Sequence, residues 1–499
     1  MFLALSEPAA TALLLAVFGL LMLFSTLFSR LLDRLGVPVV LLFLLLGMLG
    51  GSEGLGGLYF ENYEVAFRIG TIALILILFD GGLNTPLASI RRSAAPAGVL
   101  ATLGVLGTAV VLALVGRLAG LSWAEAALVG CVVSSTHAAA VFAVLRGGSL
   151  RVKERVRSLL EVESCANDPM AIILTFAAVA AIQANGQGSG GWALLIIVPV
   201  QLALGIALGA GLGYATRIVL TRSNLTTTGL YPVITLASAF FIFGIATITY
   251  ASGFLAVYTA ALVLGNSSLP YRNGLTRVHD ALAWLSQISM FLMLGLLATP
   301  SALLPVLTIG LIVALGLAIV ARPIVVAACL APFGFPAREI GYVSWVGIRG
   351  AVPIILATVP VMAQIPDAER IFHVVFIVVV ISAIIPGATI VPLTRRLKLN
   401  DPEPPPPAAA MELHSLRPMD GVIHVYRIDS TLAVCGVSLS KVRFPEGSAA
   451  IMIARGNEVI AARGHTVLQD GDHVYIFCKP GDEPRINLLF GANVDRGET

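Results

Sequence analysis

The chain has 499 residues, of which 57% are hydrophobic and 12% charged. Soluble domains run at about 45–50% apolar and about 25% charged residues, so a water-soluble enzyme or binding module is excluded and lipid must be the solvent. The net charge of +3 excludes little, and the information lies in where the charges sit.

A helix needs roughly 20 apolar residues to cross about 30 Å of hydrocarbon. Such runs recur from Thr11 to Leu393 and predict thirteen crossings, at 10–29, 36–51, 65–82, 94–116, 122–145, 156–182, 192–216, 229–250, 252–265, 280–298, 304–331, 339–362 and 371–394. The first follows Glu7 with no basic leader or small-residue cleavage site, so it reads as a retained helix and not as a signal peptide. Alternate connections differ in charge. One set carries Arg30, Arg34, Arg91, Arg92, the cluster from Arg146 to Arg157, Arg217, Arg222, Arg272, Arg277, Arg338 and the exit Arg395-Arg396-x-Lys398; the other carries Glu53, Glu61, Glu64, Asp367 and Glu369. The basic side is expected to be cytoplasmic, with the N-terminus outside and the polar tail inside.

An odd number of crossings suggests six plus six around a central helix, related as inverted repeats with a binding site on interrupted helices. Two interruptions stand seven crossings apart, Ser134-Ser135-Thr136-His137 in the fifth and Gly347-Ile348-Arg349-Gly350-Ala351-Val352-Pro353 in the twelfth. Between them, the sixth crossing reads Glu161-Val162-Glu163-Ser164-Cys165-Ala166-Asn167-Asp168-Pro169. Carboxylates in lipid are costly, so they are rare unless paired or functional. Helical spacing puts Ser164 and Asp168 on one face and Glu163 and Asn167 on another. Pro169 lacks an N–H, which frees the carbonyl of Cys165 beside Asp168. A carboxylate, a hydroxyl and a carbonyl are the hard oxygen donors that an alkali cation prefers. The competing reading is a structural polar network between helices.

Glu163 requires a counter-charge, and Arg349 is the expected partner. Arg322, followed by Pro323, is either an alternative partner or a residue snorkelling toward a helix end. Asp80 closes the third crossing as a helix-end carboxylate or a pathway residue, and Glu161 is either an entry-funnel residue or a solvated helix-start acid. The five cysteines show no pairing or metal-ligand spacing and read as small buried hydrophobes. No resident cofactor, catalytic residue or nucleic-acid partner is expected.

The pattern Glu163-Ser164-x-x-Asn167-Asp168, followed by Gly347-x-Arg349-Gly350-Ala351-Val352, resembles the monovalent cation/proton antiporters of the sodium/proton exchanger type. Phe79-Asp80-Gly81-Gly82-Leu83, Ala138-Ala139-Ala140-Val141-Phe142 and Asn167-Asp168-Pro169-Met170-Ala171 are similar to the bacterial potassium/proton branch concerned with cell-volume regulation. The resemblance implies thirteen helices, a homodimer, and elevator-like movement of a core domain against a dimerisation domain in a bacterial cytoplasmic membrane. It implies that Asp168 carries either the cation or the proton, that Asn167 goes with electroneutral exchange, and that Glu163 pairs with Arg349. The sequence departs from the pattern at His137, where the family has aspartate; Thr136 remains a hydroxyl or backbone ligand candidate.

Asp401-Pro-Glu-Pro-Pro-Pro-Pro407 reads as a stiff linker. The expected division is 1–398 for exchange, 399–411 for the linker and 412–499 for a small cytoplasmic α+β domain. Strands are predicted at 421–426, 449–454, 458–461 and 473–477, joined by turns at Gly456-Asn457 and Asp470-Gly471-Asp472. The tail resembles the TrkA-C regulatory module of potassium channels and transporters, which implies dimerisation and a small ligand. The fold class is therefore an all-α polytopic membrane protein with an α+β appendage. The function is exchange of K+ or Na+ for H+, with a sodium-coupled solute symporter or a regulated cation channel as alternatives.

Overall fold

The computed structural model describes residues 40–147, 150–184, 192–223, 225–401, 421–456, 458–479 and 481–491, with scattered positions before residue 28. The expected first crossing lies largely outside the described residues, and so does the proline-rich segment from residue 402 to 420. In hydrocarbon a bare peptide group finds no partner, so each apolar run closes its own hydrogen-bond ladder as a helix. Eight described helices are long and apolar enough to cross a membrane, and four shorter apolar helices accompany them.

In chain order the helices are α1 (Val40–Gly50), α2 (Tyr63–Asn84), α3 (Leu87–Val99), α4 (Val105–Leu118), α5 (Trp123–Val132), α6 (Ala138–Gly147), α7 (Glu154–Gln183), α8 (Trp192–Arg222) and α9 (Leu230–Ile248). They continue as α10 (Gly253–Gly265), α11 (Arg272–Leu297), α12 (Pro300–Leu303), α13 (Leu307–Gly316), α14 (Arg322–Leu330), α15 (Ala337–Trp345), α16 (Val352–Met362) and α17 (Ala368–Arg396). They fall on the expected second to thirteenth crossings, and α9 and α10 divide at Ser252-Gly253 as the sequence predicts. Several helices overrun the expected bounds: α3 begins at Leu87 rather than 94 and α8 runs to Arg222 rather than 216, so Arg91, Arg92, Arg217 and Arg222 lie within helices. α11 begins at Arg272 rather than 280, so Arg272 and Arg277 occupy its first turns and not a connection.

The fifth crossing is built from α5 and α6 with an extended break between them, and the twelfth from α15 and α16. α5 starts in a capping box in which the Ser122 hydroxyl accepts from the Glu125 N–H and the Glu125 carboxylate accepts from the Ser122 N–H. The same carboxylate takes Arg370 of α17 at 3.1 Å, which ties this end of the interrupted helix to the thirteenth crossing.

The fourth and eleventh crossings, also seven apart, carry a second irregularity that hydropathy does not report. Each contains a π-helical turn, Leu100–Gly104 and Leu317–Ala321. The N–H of Val105 reaches back to the carbonyl of Leu100, and that of Arg322 to the carbonyl of Leu317. One extra residue per turn rotates the helix that follows by about 100°, and such turns occur often at functional sites.

Buried side chains form several packing groups, the largest of which joins α2, α4, α5, α7, α11, α13, α16 and α17. A second joins α3, α6, α7, α14, α15 and α17, and a third joins α2, α8, α9, α10 and α11. Leu399 is fully buried, and the strands β1 (Arg151–Val152) and β2 (Asn400–Asp401) pair antiparallel. The Lys153 N–H also donates to the Leu399 carbonyl at 2.8 Å. Residues 399–401, expected to begin a free linker, are thus clipped to the start of α7.

The tail is an antiparallel sheet in the order β3 (Val422–Arg427), β6 (His473–Cys478), β4 (Ala449–Arg455), β5 (Glu458–Ala461), followed by α18 (Glu483–Phe490). Arg455 and Asp472, which flank the two predicted turns, form a bidentate pair at 2.8 Å in both contacts, with Asp472 fully buried. That hydrogen bonding holds the Arg455 guanidinium above its ordinary range.

Candidate functional site

The two breaks cross, and one backbone hydrogen bond joins them, from the His137 N–H to the Ile348 carbonyl at 2.9 Å. Extended peptide at this depth is tolerated only where protein groups satisfy it. Ser164 on α7 does so for the first break. Its hydroxyl accepts from the Ala138 N–H at 3.0 Å and donates to the Thr136 carbonyl at 3.0 Å, so it serves both sides of the interruption. Asn167, one turn further along α7, donates from Nδ2 to the Thr136 hydroxyl at 2.6 Å. Its Oδ1 is buried with no hydrogen-bond partner among the described residues. For the second break, the Arg349 N–H donates to the Ser382 hydroxyl of α17 at 3.2 Å.

Asp168 is 4% exposed and lies where the two breaks meet. The groups that act on its carboxylate are the Ser135 hydroxyl and the guanidinium of Arg349. Among the described residues no ion pair to Asp168 is found. Ser135 is the residue the sequence reading passed over. Its position directly before Thr136 in the polar break was the available signal.

The expected pair between Glu163 and Arg349 is corrected. Glu163 pairs with Arg322, at 2.8 Å between Oε1 and Nη1, and both side chains are buried. The cause is the π turn that ends at Ala321, which turns Arg322 inward instead of letting it snorkel. Its Nη2 also donates to the Val343 carbonyl at 3.2 Å. Arg349 instead gives Nη1 to the Ser135 carbonyl at 2.6 Å, while its Nε and Nη2 have no hydrogen-bond partner. Arg349 therefore stands between the charges of Asp168 and Glu163 without being locked to either.

The glycines of the second break have a steric role. A Cβ at Gly347 would lie 2.9 Å from Nε of Arg322, and one at Gly350 would lie 2.8 Å from Cγ of His137. His137 packs its ring against Gly350, and its Nε2 has no hydrogen-bond partner. The ring is not among the groups acting on Asp168. Two residues named from the sequence stand apart from this cluster. Asp80 accepts from Asn84 at 3.0 Å and faces Asp280. Glu161 takes Arg157 at 2.9 Å, one turn before it on the same helix.

A helical membrane protein whose two interrupted helices cross beside a buried carboxylate has the architecture of a secondary transporter. Residues 19–396 match the transmembrane sodium/hydrogen exchanger family and residues 423–491 match the TrkA-C domain. The chain belongs to the sodium/hydrogen exchanger family of cation/proton antiporters and carries a TrkA-C domain. It is 40% identical to a K+/H+ antiporter NhaP from Alkalimonas amylolytica, over 97% of this chain and 84% of the relative. It is 38% identical to a K+/H+ antiporter NhaP2 from Shewanella oneidensis, over 94% of this chain and 81% of the relative. The fold matches the sodium proton antiporter MjNhaP1 from Methanocaldococcus jannaschii with a TM-score of 0.67 at 22% identity, covering 77% of this chain and 98% of that one.

Proposed function

We propose that the chain exchanges K+ for H+ across a bacterial cytoplasmic membrane, with Asp168 as the shared carrier of cation and proton. The observation that carries this reading is a buried carboxylate with oxygen donors around it and no locked counter-charge. The donors are the Asp168 carboxylate, the unpartnered Oδ1 of Asn167, and the Ser135 and Thr136 hydroxyls. Ser164 was expected as a ligand, but both of its bonds go to the break, and its role is to shape the site. A bare carboxylate in such surroundings is disfavoured, so cation and proton replace each other and the fluxes are coupled. Glu163 is paired with Arg322 and Asn167 has no ionisable group, so the exchange at Asp168 is of one K+ for one H+ and leaves no net charge moved. The assignment of K+ is supported by relatives named K+/H+ antiporters.

The same proposal places the N-terminus outside and residues 412–499 inside, with 1–398 as the exchange unit working as a homodimer in lipid. The tail acts on transport through the β1/β2 clip at the start of α7. In proteoliposomes with a pH dye, K+ pulses are expected to drive proton flux at a rate that does not respond to a valinomycin-imposed potential, and a chain ending at Asn400 is expected to keep that flux with an altered pH response. Flux with Na+ but none with K+ would overturn the ion assignment.

His137 gives a further expectation. An imidazole nitrogen is a poor alkali-metal ligand, whereas an aspartate at this position would add a carboxylate oxygen for the incoming cation. His137→Asp should lower the cation concentration for half-maximal rate several-fold, on the order of 1 kcal/mol. Loss of exchange in a well-folded His137→Asp protein would make the histidine itself a carrier.

A further inference from the structure

Access to Asp168 is one-sided. Along one face of α7, Glu161, Cys165 and Asp168 are spaced by four and three residues, so they form a continuous stripe. The Glu161 side chain is 21% exposed, Cys165 is half-buried and Asp168 is buried. Beyond Asp168 the helix meets Ile172 and Phe176, which close with Phe67, Leu74 and Phe254 around an apolar cavity of about 30 Å³. Thr71 is the one polar residue in its lining, fewer polar partners than water or a hydrated ion needs.

Opposite the stripe stands Tyr258 of α10. Tyr258 is 6% exposed, and its hydroxyl is buried without a hydrogen bond of regular geometry to any partner among the described residues. The hydroxyl faces the Cys165 thiol and the Thr85 hydroxyl, and the charge of Glu161 also acts on it. The position is rigid, because α10 packs so closely on α2 that a Cβ at Gly82 would lie 2.7 Å from the Tyr258 carbonyl. A buried hydroxyl left unpaired is costly, and it is retained where something else visits it. Sulfur is a poor ligand for alkali cations, whereas a phenolic oxygen is a suitable one.

We propose that the Tyr258 hydroxyl is a transient ligand for the monovalent cation on the route from Glu161 to Asp168, one helical turn before the carboxylate. Tyr258 stands on α10, whose other residues pack with α2, α8, α9 and α11, and Asp168 sits on α7, so the cation passes from a scaffold ligand to the carrier helix. This rests on the reading of Asp168 as the ion carrier.

The test uses the full chain in proteoliposomes. Tyr258→Phe is expected to raise the cation concentration for half-maximal exchange about five-fold, the worth of one neutral oxygen contact, with the maximal rate kept. In a protein with Cys165 as its sole cysteine and Tyr258 intact, a membrane-impermeant cationic thiosulfonate should react from the Glu161 side, and saturating K+ should slow it. An unchanged half-maximal concentration in Tyr258→Phe overturns the proposal, as does labelling that K+ does not slow or that comes only from the opposite side. The labelling arm needs no Tyr258 variant, so poor folding of Tyr258→Phe leaves the proposal testable. If Asp168→Asn is inactive while Tyr258→Phe is silent, only this inference fails; if Asp168→Asn exchanges normally, the carrier assignment fails with it.

Discussion

Asp168→Asn is expected to reduce cation-driven proton flux to the background of empty liposomes while the protein still purifies as a folded membrane protein. An amide keeps the shape of the side chain and its contact with Ser135, but it can neither release a proton at accessible pH nor neutralise a cation. Nothing else in the crossing of the breaks replaces it. Glu163 is held by Arg322 at 2.8 Å, and Asn167 does not titrate. The folding cost should be small, because burying an amide is less demanding than burying a carboxylate. Purified Asp168→Asn with robust exchange would remove the carboxylate from the mechanism.

Arg322→Met is expected to be the most destabilising single change near the site. It leaves Glu163 as a buried charge with no partner, and removing one member of a buried pair costs about 3 to 5 kcal/mol. Glu163→Leu combined with Arg322→Met should recover most of that loss, because apolar groups of similar volume often replace a buried pair at little cost. Arg349→Met should behave differently. Its single side-chain bond goes to the Ser135 carbonyl, so exchange should fall more than stability does. Thermal unfolding of the four proteins in one detergent separates these outcomes. A melting temperature that drops for Arg349→Met and stays level for Arg322→Met would return the ion pair to Arg349.

The apolar runs, the broken helices at Thr136 and Arg349 and the tail strands were all legible in the chain, because each is a local matter. Hydropathy over about 20 residues, a cluster of polar or glycine residues inside it, and period-two alternation between turns need no knowledge of neighbours. The face shared by Ser164 and Asp168 followed from helical spacing alone. Even the clip at β2 was hidden only because its partner, β1, lies about 250 residues earlier, across the whole second half of the membrane unit.

Arg322 and Arg349 show where that reasoning stops. Both are arginines in apolar helices, so composition and charge offer the same prior for each as the partner of Glu163. The deciding feature is the π turn at Leu317–Ala321, which rotates Arg322 inward, together with Gly347, which leaves room for its guanidinium. The placements of Ser135 beside Asp168 and of Tyr258 beside Cys165 likewise come from helices meeting across the fold. By itself the sequence determined that this is a polytopic membrane protein with two interrupted helices and a carboxylate between them, since transfer to lipid acts on each segment separately. Only the tertiary structure decided which charge answers which, because a buried ion pair is set by the register of packed helices, and that register depends on every neighbour at once.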